Sequence, residues 1–150
     1  MKKNFLVAAL VMLMGISATF ANTNKDIVNE KISSAFQKEF AGASEVNWEN
    51  SKTFAKATFR INEQVMFAFY AQDGHLLAVT RNIVSGQLPL NLQADLKKYY
   101  ADYWITDLFE MAADSETNYY LTIQNSTQTV VLKSSGTTGW TVFKKEKKEI

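Results

Sequence analysis

The chain has 150 residues, with 16 basic and 15 acidic side chains, one His, no Cys and 13% aromatic residues. A charge so near balance argues against a dedicated nucleic-acid binder, which carries a basic domain, and the lack of Cys excludes disulfides, thiol chemistry and thiolate metal sites. The length suits a single domain that buries its own core by packing.

The start of the chain reads as an address label. Lys2 and Lys3 give a charged start, Phe5 to Ile16 an apolar core, and Ser17-Ala18-Thr19-Phe20-Ala21 a small-residue exit with cleavage after Ala21. The apolar run is shorter than the roughly 20 residues a membrane span needs, and no Cys follows it for a lipid anchor. The expectation is a signal peptide over 1–21 and a mature protein over 22–150, periplasmic or secreted, with no stable membrane anchor after cleavage. Removal of the leader leaves fourteen basic against fifteen acidic residues, a formal charge of −1.

From Asp26 to Phe40, Ile27, Ile32, Phe36 and Phe40 recur near one side of a 3.6-residue period, which predicts an amphipathic helix. Gly42 offers a stop. Strands follow at Ser44 to Glu49, Phe54 to Ile61, Val65 to Ala71 and His75 to Ile83, joined in part by Asn62-Glu63-Gln64 and by the hairpin signal Asp73-Gly74. Pro89, the one proline, opens a second helical stretch to about Tyr100, with Leu88, Leu92, Leu96 and Tyr99 or Tyr100 at helical spacing. Four more β-like segments follow: Trp104 to Ala112, Asn118 to Gln124, Thr129 to Ser134 and Gly139 to Lys145.

The order is helix and four strands, twice. Asp73-Gly74 corresponds to Ser135-Gly136 at an offset of 62, and the same offset sets Ala57, Phe59 and Ile61 against Tyr119, Leu121 and Ile123. The expected fold is α+β, one domain of two tandem repeats (about 24–84 and 87–146), with both helices on one face of a continuous antiparallel sheet.

Val46-Asn47-Trp48, Phe59, the Phe67/Phe69 strand running into Asp73-Gly74, and Leu88-Pro89 before the second helix resemble the PepSY-like family of exported bacterial proteins, also described as β-lactamase-inhibitor-like. The resemblance covers nearly all of the mature chain through short motifs. It implies a sheet with helices packed on one side and the other side open, and a binding role. The secreted lactamase inhibitors carry disulfides and this chain has none, which weakens any transfer of their target.

The stretch Gln64 to Arg81 is apolar at neighbouring positions, so its strands have grease on both faces. Continuing Phe59 and Ile61, the reading places Val65, Phe67 and Phe69 under the helices, and Met66 and Tyr70 on the reverse beside Phe54, Lys56, Thr58 and Arg60, with Tyr120 at the equivalent place in the second half. Phe54, Lys56, Arg60, Met66, Tyr70 and Tyr120 are thus the candidate contact residues for a protein or peptide in the cell envelope, because Tyr and Arg combine broad area with hydrogen-bonding tips. Periodicity leaves open whether this face is covered and simply core.

Catalytic constellations are lacking. His75 has no second His for a zinc site, and no Gly-x-Ser-x-Gly elbow or Gly-rich phosphate loop occurs. Strand alternation sets Asp107 and Glu110 on opposite faces, and Asp114 and Glu116 read as a solvated loop. The expectation is a binding module, not an enzyme, with no cofactor, no metal and no nucleic-acid partner. One alternative is an inhibitor of an envelope or secreted hydrolase, a protease or a β-lactamase, with the hairpin tip at Glu63 entering the target's cleft. Another is a small-ligand carrier or enzyme whose pocket lies between the repeats, lined by Trp48, Trp104 and Trp140. The charged tail Lys144 to Ile150 reads as a guard on the last strand.

Overall fold

The computed structural model describes residues 27–149. The expected leader, its cleavage site and Asp26, the first residue expected in the opening helix, lie outside these. Helix α1 spans Glu30–Glu39. Asn29 caps it, its side-chain oxygen accepting from the Ile32 N–H at 3.1 Å, while its amide donates to the Gln72 carbonyl at 2.9 Å and so ties the helix start to a sheet turn. Ile32 and Phe36 are buried, as the period requires, but Ile27 precedes the helix and is 91% exposed.

Eight strands follow in a simple meander: β1 (Ser44–Asn50), β2 (Phe54–Ile61), β3 (Gln64–Ala71), β4 (Leu76–Asn82), then β5 (Trp104–Ala113), β6 (Glu116–Gln124), β7 (Gln128–Ser134) and β8 (Thr141–Lys147). They form one sheet in sequence order, every pairing antiparallel. Between β4 and β5 the chain makes a 3₁₀ turn at Ser85–Gln87 and helix α2, Leu90–Tyr99. Pro89 enters α2 with its fixed φ, and Tyr100, not the exposed Tyr99, packs with Leu92 and Leu96.

Both helices cover the same face. Val79, which packs with the α1 cluster, pairs with Ala112, and alternation along β5 carries that face to Leu108 and across to Leu121, which lie under α2. Each half has its own core there: Ile32, Phe36, Ala57, Phe59 and Tyr70 in the first, and Leu92, Leu108, Leu121, Ile123 and Leu132 in the second.

Two glycines let the β3–β4 and β7–β8 connections tuck against the helical layer. Gly74 has φ +92°, and a Cβ there would lie 3.1 Å from the Lys31 carbonyl oxygen in α1; Gly136 has φ +87°, with the Tyr119 ring 2.9 Å from the same point. Gly74→Ala is expected to cost about 1–2 kcal/mol from the left-handed backbone alone, before α1 shifts. A thermal melt checks it; an unchanged midpoint would show that the turn does not bear on the helix.

The last strand is an edge that carries Lys144, Lys145, Glu146 and Lys147. Lys144 pairs with Glu146, and Lys148 donates to the Asn125 carbonyl at 2.8 Å while lying over the Trp104 ring. Charge at this edge discourages pairing with another chain.

Candidate functional site

The phase of β3 decides which side chains face away from the helices. Asn62 and Glu63 alone form the turn, both at positive φ (47° and 67°), so Ile61 pairs with Gln64 and Phe59 with Met66. Taking Gln64 into the connection shifts the strand by one residue, and a one-residue slip reverses every side chain. The expected faces of β3 are therefore exchanged. Met66, Ala68 and Tyr70 lie under α1, and Val65, Phe67 and Phe69 lie on the reverse.

Tyr70 is a core residue. It is 1% exposed and stands edge-on to Phe36 at 6.4 Å and tilted to Trp48 at 6.2 Å. Its hydroxyl has no hydrogen-bond partner among the described residues, and burial, with the Glu39 carboxylate adding to it, pushes its pKa up to about 12. A buried, unpartnered hydroxyl costs more than it returns, so Tyr70→Phe is expected to leave stability unchanged or raise it by about 1 kcal/mol. Urea unfolding at neutral pH measures this, and a clear loss would reveal a partner for the hydroxyl.

The other expected contact residues occupy the reverse face. Phe54, Lys56 and Arg60 alternate with the buried Ala55, Ala57 and Phe59 along β2. Lys56 pairs with Glu49 at 3.0 Å and lies over the Phe67 ring, and Arg60 pairs with Glu45 at 2.9 Å. Tyr120 is on this face as expected, yet it has 0% exposure. Its ring stacks on Phe109 at 5.3 Å, meets Phe143 edge-on at 5.6 Å, and lies under the Lys133 ammonium. Its hydroxyl also has no partner among the described residues, and burial pushes its pKa up to about 12.

The reverse face thus has an apolar centre of Phe69, Phe109, Met111 and Tyr120, flanked by Phe54, Phe67 and Leu77. Among the described residues no helix lies on this side. Its margin carries Lys56, Arg60, Lys133 and the partly exposed Phe143. Asp107 shares the face, and burial raises its carboxyl above the usual range, a backbone hydrogen bond from Leu108 opposing this. Phe109, Met111, Lys133 and Phe143 carry no sequence signal for this face, and Phe67 and Phe69, expected under the helices, are assigned to it only once the two-residue turn is applied to β3.

Glu63 is exposed at the tip of the β2–β3 hairpin, its carbonyl accepting from Arg60 at 3.1 Å. His75 is exposed, and its backbone N–H donates to the Asp73 carboxylate at 3.0 Å, a turn role. Glu110 pairs with Arg81 at 3.1 Å on the face opposite Asp107. Among the described residues no group of three or more His, Asp or Glu could hold a metal ion. The three tryptophans do not share a pocket: Trp48 packs in the first core, Trp140 against the second, donating to the Leu92 carbonyl at 3.2 Å, and Trp104 is 51% exposed.

Comparison with solved structures fits this architecture. A BLIP-like protein from Bacteroides fragilis superposes with a TM-score of 0.69 at 16% identity, covering 83% of this chain and 89% of its own. The fold is BLIP-like. A candidate periplasmic protein from Bacteroides eggerthii shares it (TM-score 0.69, 10% identity, 81% and 90% covered), as does a DUF2874 family protein from Bacteroides ovatus (0.67, 13%, 81% and 89%). No family model and no curated protein sequence matches the chain. At these identities the BLIP-like likeness speaks for the fold and not for a target. Among the described residues no helix is long and apolar enough to cross a membrane.

Proposed function

We propose that this protein is an exported, non-enzymatic binding module of the PepSY-like kind, cleaved after Ala21, that meets a protein or peptide of the cell envelope through the sheet face opposite its helices. The observation that carries this reading is the accessible part of that face: Phe54, Phe67, Leu77 and Phe143, with Lys56, Arg60 and Lys133, set around a buried centre of Phe69, Phe109, Met111 and Tyr120 with no described helix over it. Partly exposed aromatic side chains interleaved with cationic ones are the composition of a recognition patch. The likeness to a candidate periplasmic protein supports the compartment. Tyr70 and Met66, buried or half-buried under α1, are not contacts in this reading.

The test uses residues 22–150 immobilised and exposed to envelope extract, with Phe143→Ser/Lys56→Glu as the comparison. The changes remove the Glu49 pair and the contact with Tyr120, so a melt first establishes that the variant is folded at the assay temperature. A partner held by the parent and lost by the double variant supports the reading, and retention indifferent to both changes refutes it.

The BLIP-like neighbour and the projecting turn at Glu63 favour a second reading, inhibition of a secreted or envelope hydrolase. A panel of β-lactamases and proteases assayed with the mature protein and with Glu63→Lys tests it. Slowing that the charge reversal abolishes would establish it, and no slowing by either protein would dismiss it.

A further inference from the structure

The two halves seal the end of their helix differently. Phe40 and Tyr100 are equivalent residues: each ends its helix and donates its N–H to the carbonyl four residues back, of Phe36 and Leu96 respectively. Phe36 and Leu96 therefore correspond. So do Phe59 and Leu121, each two residues before the isoleucine, Ile61 or Ile123, in the helix-facing row. In the first half, Phe36, Phe40 and Phe59 close on one another with ring centroids 4.7–5.3 Å apart. In the second half two of those three rings are replaced by leucines, and the third, Tyr100, stands edge-on to Tyr103 at 6.0 Å.

A cleft of about 350 Å³ opens beside Leu96 and Tyr100 of this set. Leu96, Ile105 and Ile123 give it an apolar floor, and Tyr100 and Tyr103 wall it. Tyr103 is held by the Gln128 amide, which donates to its hydroxyl. At the rim stands Lys97, which forms no ion pair among the described residues, while Asp95 faces Gly139 outside the lining. The volume is that of a small-molecule pocket, and the one charge on its lining is positive.

We propose that this cleft is a binding site for a compact amphipathic carboxylate. Its aryl or branched alkyl body takes the space that aromatic rings fill in the first half, and its charge meets the Lys97 ammonium. The site is independent of the reverse sheet face. A neutral molecule of the same shape would fill the floor and leave Lys97 unanswered, so the carboxylate binds more tightly than its amide.

Titration of residues 22–150 with 4-phenylbutyrate and with 4-phenylbutyramide, followed by isothermal calorimetry and by amide shifts in NMR, tests this. The carboxylate is expected to saturate, to shift Leu96, Tyr100 and Ile123, and to bind several-fold more tightly than the amide. Leu96→Phe, which copies Phe36, should weaken it by roughly 10-fold or more with an equal or higher melting temperature. Ile105→Trp, at a position 45% exposed, blocks the cleft without a core change. Lys97→Gln should erase the preference for the carboxylate. The proposal is overturned by an absence of saturation, by full binding in both blocked variants, or by equal affinity for the amide.

Discussion

Phe59→Ala is expected to lower the unfolding free energy by about 3–5 kcal/mol. The ring is 1% exposed and touches Phe36 edge-on at 5.0 Å and Phe40 at 4.7 Å. Its removal takes away transfer free energy and leaves two rings facing a void, because α1 is held at its start by Asn29 and cannot simply collapse inward. Against a total of about 5–15 kcal/mol for a domain, this is a large share of the stability. The equivalent Leu121→Ala removes a smaller side chain and should cost less, within about 2–5 kcal/mol. Guanidinium unfolding of both variants decides it. A loss below about 1 kcal/mol for Phe59→Ala would mean that the aromatic cluster is not formed as described.

The second large effect is expected at alkaline pH. Burial pushes both Tyr70 and Tyr120 up to about 12, whereas a tyrosine in the unfolded chain titrates near 10. Below pH 10 both states hold these protons and stability is insensitive to them. Between pH 10 and 12 the unfolded chain releases them first, so the native state binds more protons and stability falls as pH rises. Each group contributes a slope of about 1.4 kcal/mol per pH unit in that window. The pair together therefore removes a total on the order of several kcal/mol by pH 12, comparable with the lower end of a domain's stability. Phenolate absorbance should show two of the six tyrosines appearing together with loss of the near-ultraviolet circular dichroism. Tyr70→Phe should move that transition upward. Two tyrosines ionising near pH 10 with structure intact would contradict the burial on which this rests.

Much of the architecture could be read directly from the chain. Alternation in Phe54 to Ile61, the turn chemistry of Asp73-Gly74 and Ser135-Gly136, and Pro89 ahead of a leucine period each have one local cause, and the strands and helices stand where those causes put them. The contact face was harder to read because β3 is apolar on both sides: Ala68 and Tyr70 fill the space below α1, and Phe67 and Phe69 form the reverse. With no polar row to mark one side, only the length of the β2–β3 turn fixes the phase, and Gln64 is compatible with turn and strand alike. Phe54, Lys56, Arg60 and Tyr120 kept their expected side because β2 and β6 have clearer neighbours. The cleft beside Tyr100 was not legible at all, since it arises from a difference in side-chain volume between two halves whose hydrophobic pattern is the same.

The meander has a consequence for how this molecule reaches its shape. Every strand joins the one made just before it, so no segment must wait for a distant part of the polypeptide. Without thiols to oxidise, assembly depends on hairpins zipping in succession, a local route that favours rapid acquisition of structure over the slower searches of Greek-key sandwiches. A chain built this way is suited to collapsing unaided wherever it is released.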